Sequence, residues 1–127
     1  MKFTTFYFSG TGNTKWAVDE LNIIINSQGY QGSSYSIENQ QIQDDNFLKE
    51  VILDSDYIGI ATPIYAANIP PIMRKFIKRI NKLTFEEIKH KKILYIINTF
   101  GYINGFGYIA AKKLFSNSKY IVKAYVN

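Results

Sequence analysis

At 127 residues, 46% hydrophobic and 20% charged, the chain has the size and balance of one globular domain, residues 1–127. It has no cysteine and one histidine, His90, which excludes disulfides, iron–sulfur clusters, a catalytic thiol and any multi-histidine metal centre. The net charge of +5 conceals a division, since residues 1–60 sum to −5 and residues 61–127 to +10. Residues 3–8, Phe-Thr-Thr-Phe-Tyr-Phe, are β-branched and aromatic and stop at a glycine-rich turn, as a buried strand does. From Asn13 the period changes: Ala17, Val18, Leu21, Ile24 and Ile25 recur at helical spacing, and Gly29 stands where a C-terminal cap is wanted. Ser33 to Ile37 reads as a second strand, and Asp44 or Asp45 can cap a helix carrying Phe47, Leu48, Val51 and Ile52. Tyr57 to Thr62 is a third strand, ended by Pro63.

Pro70 and Pro71 suit the first turn of a helix, where their missing N–H groups cost nothing. Its apolar face is Ile72, Met73, Phe76, Ile77, Ile80 and Leu83, and its polar face is Arg74, Lys75, Lys78, Arg79 and Lys82. Ile93 to Thr99 is nearly continuous apolar sequence, as a strand covered on both faces should be. A loop from Phe100 to Gly107 leads to a helix with Tyr108, Ala111, Leu114 and Phe115, and Tyr120 to Val126 is the last strand. Strands alternating with helices imply right-handed βαβ units and a doubly wound parallel sheet between two helical layers.

The basic half accompanies no nucleic-acid motif, so it reads as a solvated face or a surface for an acidic protein. No segment approaches a membrane span and the start has no apolar signal core, so a cytoplasmic location away from membranes is expected. Ten tyrosines, nine phenylalanines and one tryptophan exceed what a small core needs, so some rings are expected to face a ligand.

The sharpest local pattern is Ser9-Gly10-Thr11-Gly12-Asn13-Thr14 between the first strand and the first helix. Glycines let the backbone approach an anion, the helix start offers unpaired N–H groups, and the hydroxyls and Asn13 add donors, which makes a neutral phosphate cradle. A tight turn without a ligand also uses glycine, but six small or polar residues in succession exceed that need. Lys15 stands where a dinucleotide loop has its third glycine, and no Gly-Lys-Ser/Thr triplet is present.

This segment resembles the FMN phosphate loop of the flavodoxin family, Ser/Thr-x-Thr-Gly-Asn-Thr, at every defining position. Thr62-Pro63-Ile64-Tyr65 followed by Ile69-Pro70-Pro71 is similar to the second flavin loop of one branch, the bacterial flavodoxin-type domain that often precedes a ferredoxin-like cluster segment. Asn98-Thr99-Phe100-Gly101 with Gly105 and Gly107 is similar to its third loop. The resemblance implies a five-stranded sheet of order 2-1-3-4-5 with FMN across the carboxyl ends of its strands. It implies that Ser9, Gly10, Thr11, Gly12, Asn13 and Thr14 hold the phosphate. Thr62, Pro63, Ile64, Tyr65, Ala66 and Ala67 would then flank one side of the ring system, and Thr99, Phe100, Gly101, Tyr102 and Gly105 the other. Tyr65 and Tyr102 are the stacking candidates. Trp16 suits either the ribityl side or ordinary packing, and His90 reads as a solvated loop residue.

Two features depart from the pattern: the chain is basic where many flavodoxins are acidic, and Ala66 and Ala67 replace a glycine whose peptide turns toward reduced flavin. The resemblance implies an electron-transfer protein with no catalytic side chain and no metal, serving an acidic or ferredoxin-like redox partner. Alternatives are an FMN-dependent NAD(P)H or quinone oxidoreductase and a ligand-free interaction domain. A flavodoxin's last strand is followed by one more helix, and no such helix follows Tyr120 to Val126. Self-association or fusion to a following domain is therefore expected to cover the exposed sheet.

Overall fold

The computed structural model describes residues 1–10, 12–65, 68–99 and 106–126; the side chains at 106–108, 111, 125 and 126 stand outside that description. Five strands form one parallel sheet: β1 (Lys2–Tyr7), β2 (Gln31–Ser36), β3 (Tyr57–Pro63), β4 (Lys92–Thr99) and β5 (Tyr120–Val126). Their spatial order is β2-β1-β3-β4-β5, which matches the order that the family resemblance implies. Between them run α1 (Asn13–Ser27), α2 (Asp45–Asp54), α3 (Pro71–Leu83) and α4 (Phe106–Leu114). One element was not anticipated, a short 3₁₀ turn at Gln40–Gln43 started by Asn39, whose side chain accepts from Gln41 N–H.

The local chemistry matches the boundaries. Asp44 caps α2 by accepting from the N–H groups of Asn46 and Phe47, two of the donors a helix start leaves without partners. Gly29 ends α1 with φ +87°, the left-handed conformation that favours glycine after a helix. Pro71 opens α3 at its first position.

Because side chains alternate along a strand, the sheet has two unlike faces. Phe6, Ile58, Ile60, Leu94 and Ile96 point to one side and are fully buried beneath Leu48 and Ile52 of α2 and Met73, Phe76, Ile77 and Ile80 of α3. Ala110 and Leu114 of α4 pack on the same cluster. Among the described residues the other face is covered by α1 alone, through a small cluster of Val18, Ala61 and Ile97 with Tyr7, Leu21 and Tyr95 at its edge. On this side Ile24, expected in the apolar face of α1, is 58% exposed, because no described element covers that flank of the helix.

Tyr95 crosses the open face. In register Thr5 pairs with Gly59 and Gly59 with Tyr95, and the phenol of Tyr95 lies over Gly59 to meet Thr5 Oγ1 at 2.6 Å. A Cβ at Gly59 would sit 2.0 Å from that ring. Burial holds the Tyr95 hydroxyl's pKa up at about 12, against a smaller opposing effect of the Thr5 hydrogen bond. On the closed face Tyr120 is its counterpart, bonded to Thr84 Oγ1 at 2.7 Å and pushed up to about 12 by the same cause.

Candidate functional site

Thr99, at the end of β4, contacts both the start of α1 and the loop after β3. Its carbonyl accepts the N–H of Ile64 at 2.9 Å, and its hydroxyl pairs with the Thr14 hydroxyl at 2.6 Å. One residue at the end of β4 thereby ties the start of α1 to the loop after β3. Thr14 is buried by this contact, so its hydroxyl is engaged within the protein while its N–H has no acceptor among the described residues.

The first loop is built around Ser9. Its Oγ accepts the N–H groups of Gly12 at 3.1 Å and Lys15 at 3.2 Å, folding the chain back on the helix start. Gly12, the residue before α1, has φ +92°, where an L side chain is strained. The N–H groups of Asn13 and Thr14 find no acceptor among the described residues, and α1 carries no acidic residue in its first turn. These donors and the positive end of the helix dipole make a neutral anion site. The nearby cation, Lys15, is exposed and bonded to Asp19 at 2.8 Å, an interaction that raises its pKa.

In the second loop Tyr65 and Asn68 exchange both backbone hydrogen bonds at 2.9 Å, an antiparallel bridge. Asn68 Oδ1 also accepts the N–H of Ile69 at 2.8 Å, fixing the approach to α3. Sequence reasoning passed over Asn68, since Ala-Ala between it and Tyr65 carries no turn signature. Tyr65 is 49% exposed, and its hydroxyl lies 2.6 Å from where a Cβ on Gly10 would be. The first and second loops thus touch through Tyr65 and the bare backbone of Gly10.

Ser9, Gly10, Gly12, Asn13, Thr14, Pro63, Ile64, Tyr65 and Thr99 surround one end of the sheet, with Thr62 buried beneath them. Thr11, Ala66, Ala67, Phe100, Gly101, Tyr102 and Gly105 lie outside the described residues. Asn98, quoted in the third-loop motif and buried next to Thr99, and Trp16, left open between the ribityl side and ordinary packing and 67% exposed on α1, both line the cleft that begins there. No group of three or more His, Asp or Glu side chains suited to a metal occurs among the described residues. No described helix is long and apolar enough to cross a membrane.

No family model and no curated protein matches this sequence. Solved structures do match its fold. A flavodoxin from the domain Archaea aligns with a TM-score of 0.73 at 19% identity, over 99% of this chain and 82% of that one. The two-electron reduced flavodoxin of Megasphaera elsdenii gives 0.78 at 17% identity, over 98% and 83%. The flavodiiron protein of Giardia intestinalis gives 0.76 at 18% identity, over 99% of this chain but 31% of that longer one. The fold is flavodoxin-like: five parallel strands ordered 2-1-3-4-5 with helices on both faces.

Proposed function

We propose that this chain binds FMN at the three loops and carries electrons between redox proteins. The observation that supports it most directly is the junction at Thr99, where the end of β4 contacts the start of α1 and the loop after β3 at the strand ends where the sheet order reverses. Doubly wound folds bind ligands at that switch point, a rule for which flavodoxin is a standing illustration. The donor set suits a phosphate: two N–H groups without an acceptor among the described residues, the Ser9 hydroxyl, and the exposed amide of Asn13. Gly10 and Gly12 let the backbone come close, and Ile64 and Tyr65 offer an apolar and an aromatic flank to a flat ring. Bound FMN supplies the reversible uptake and release of electrons; the protein holds and shields it.

The test uses opposite signs. Asn13→Asp places a carboxylate in the first turn of α1, which stabilises the ligand-free protein by about 0.3–1 kcal/mol through the helix dipole. The same charge repels a phosphate, so FMN affinity should drop at least tenfold while riboflavin affinity holds. Equal losses for FMN and riboflavin would remove the phosphate from this loop.

Its partner, in this reading, is an acidic redox protein in the cytoplasm, approached by the cationic outer side of α3. Lys75, Lys78 and Lys82 are exposed there, whereas Arg79 is bonded to Asp45 of α2 through Nε at 2.9 Å and Nη2 at 2.7 Å. Exposed charges of this kind act on encounter rate and are screened by salt. Lys75→Glu with Lys78→Glu should slow reduction by an acidic ferredoxin several-fold at low ionic strength. A rate indifferent to salt and to both reversals would discard this surface.

A further inference from the structure

The two glycines of the first loop are there for different reasons. Gly12 has φ +92°, which strains an L side chain, yet a Cβ on it would meet nothing within 4 Å. Gly10 is not among the residues with positive φ, so its backbone does not call for glycine. Space forbids the side chain instead. A Cβ on Gly10 would stand 2.6 Å from the Tyr65 hydroxyl oxygen and 3.9 Å from Cζ, the carbon that bears it. The two distances differ by about the length of the C–O bond itself, so the phenol meets Gly10 with its tip and not with a face of its ring.

Tyr65 is held in that attitude through its backbone, which exchanges both hydrogen bonds with Asn68. Its hydroxyl has no hydrogen-bond partner among the described residues, and the N–H groups of Asn13 and Thr14 are in the same condition. Asn13 and Tyr65 line one cleft. All three groups are donors, and donors left together without an acceptor suit an anion. A ring that only stacked would have no use for a hydroxyl set against the loop that carries the other two.

We propose that Tyr65 donates its hydroxyl to the phosphate held in the first loop, and that Gly10 is the bare position that admits its tip. This rests on the FMN reading above and adds to it a donor from the second loop. The faces of the ring stay free to flank a flat group, so the two roles use different atoms of one side chain. Lys15, the neighbouring cation, is exposed and already bonded to Asp19, which leaves the phosphate to neutral donors. A hydroxyl that donates to an anion makes a bond about twice as strong as one to a neutral acceptor.

Equilibrium dialysis of the parent chain, Tyr65→Phe, Gly10→Ala and the double variant against FMN and against riboflavin tests the pair. Tyr65→Phe keeps the ring and should lower FMN affinity at least tenfold while riboflavin affinity stays within about twofold. Gly10→Ala should lower FMN affinity at least tenfold in the parent, because its methyl displaces the phenol tip. In the Tyr65→Phe background the same methyl meets Cζ at 3.9 Å, an ordinary contact, and the further loss should be under about twofold. Tyr65 is half in solvent, so Tyr65→Phe carries the test by itself if Gly10→Ala fails to fold. A parent that binds FMN and a Tyr65→Phe variant that binds it equally well overturn the proposal and leave the FMN reading standing. Equal losses of FMN and riboflavin overturn it too, by giving the hydroxyl to the ribityl chain or the ring. A Gly10→Ala loss of the same size in both backgrounds overturns the pairing of the two residues. A parent chain that binds neither flavin overturns the FMN reading and this proposal together.

Discussion

The two faces of the sheet are built from the same strands and differ in what covers them. Under α2, α3 and α4 the inward residues are chiefly branched aliphatics and phenylalanine, buried completely, with Thr4 and Tyr120 buried among them and hydrogen-bonded to Ser55 and Thr84. Under α1 they include Phe3, Thr5, Tyr7, Tyr57, Gly59, Ala61, Tyr95 and Ile97, larger or smaller by turns and partly polar, with Phe3 and Tyr57 stacked on each other and the Tyr95 ring lying over Gly59. A face backed by three helices relies on volume filling, while a face backed by one relies on side chains that can meet water at one end and still pack at the other.

The largest effects should fall on the closed face. Phe6→Ala removes a fully buried ring and should cost about 3–5 kcal/mol of unfolding free energy. Ile24→Ala on the open face should stay within about 0.5 kcal/mol, as surface substitutions do, measured in dilute protein by urea unfolding. Comparable losses at both positions would abolish the contrast.

Alkali titrates both faces through one tyrosine each. Tyr95 and Tyr120 both keep their protons to about pH 12, while an unfolded tyrosine loses its proton near 10. Their contribution is thus intact below pH 10 and drains away as the pH climbs toward 12, by up to about 1.4 kcal/mol per pH unit for each. Tyr95→Phe and Tyr120→Phe should each halve that slope in unfolding measured between pH 9 and 12. If Tyr120→Phe halves it and Tyr95→Phe does not, the open face is wetter than its geometry indicates.

Gly59→Ala sharpens the comparison on the open face alone. The new methyl must displace the Tyr95 ring, at a cost of about 1–3 kcal/mol, and the freed phenol should then titrate near an ordinary tyrosine. Ultraviolet titration of Gly59→Ala against the parent chain checks this. An unmoved Tyr95 titration would mean that the ring does not lie over Gly59.

Much of this was legible beforehand for physical reasons. Period-2 and period-3.6 patterns separated strands from helices, and their strict alternation allows few topologies besides a doubly wound sheet. Ser9 to Thr14 stood out because a helix start with two glycines and four side-chain donors is chemically unusual. The exposure of Ile24 was not legible, since periodicity tells which side of a helix is apolar and not what stands opposite. Tyr95 over Gly59, Arg79 on Asp45 and the Thr14–Thr99 contact were equally hidden. Each joins residues far apart in the chain whose types say nothing of one another.

The strand order also sets a timetable for synthesis. β1 lies inside the sheet, with β2 on one side and β3 on the other, and Pro63, the end of β3, follows Tyr7 by 56 residues. At about 5–20 residues per second, a ribosome needs about 3–11 s to deliver that second neighbour. During the interval the segment Phe3 to Phe8, β-branched and aromatic without a charge, can pair on one side only. The nascent chain is therefore most exposed to misassembly, and most in need of a holding chaperone, before its third strand has been made.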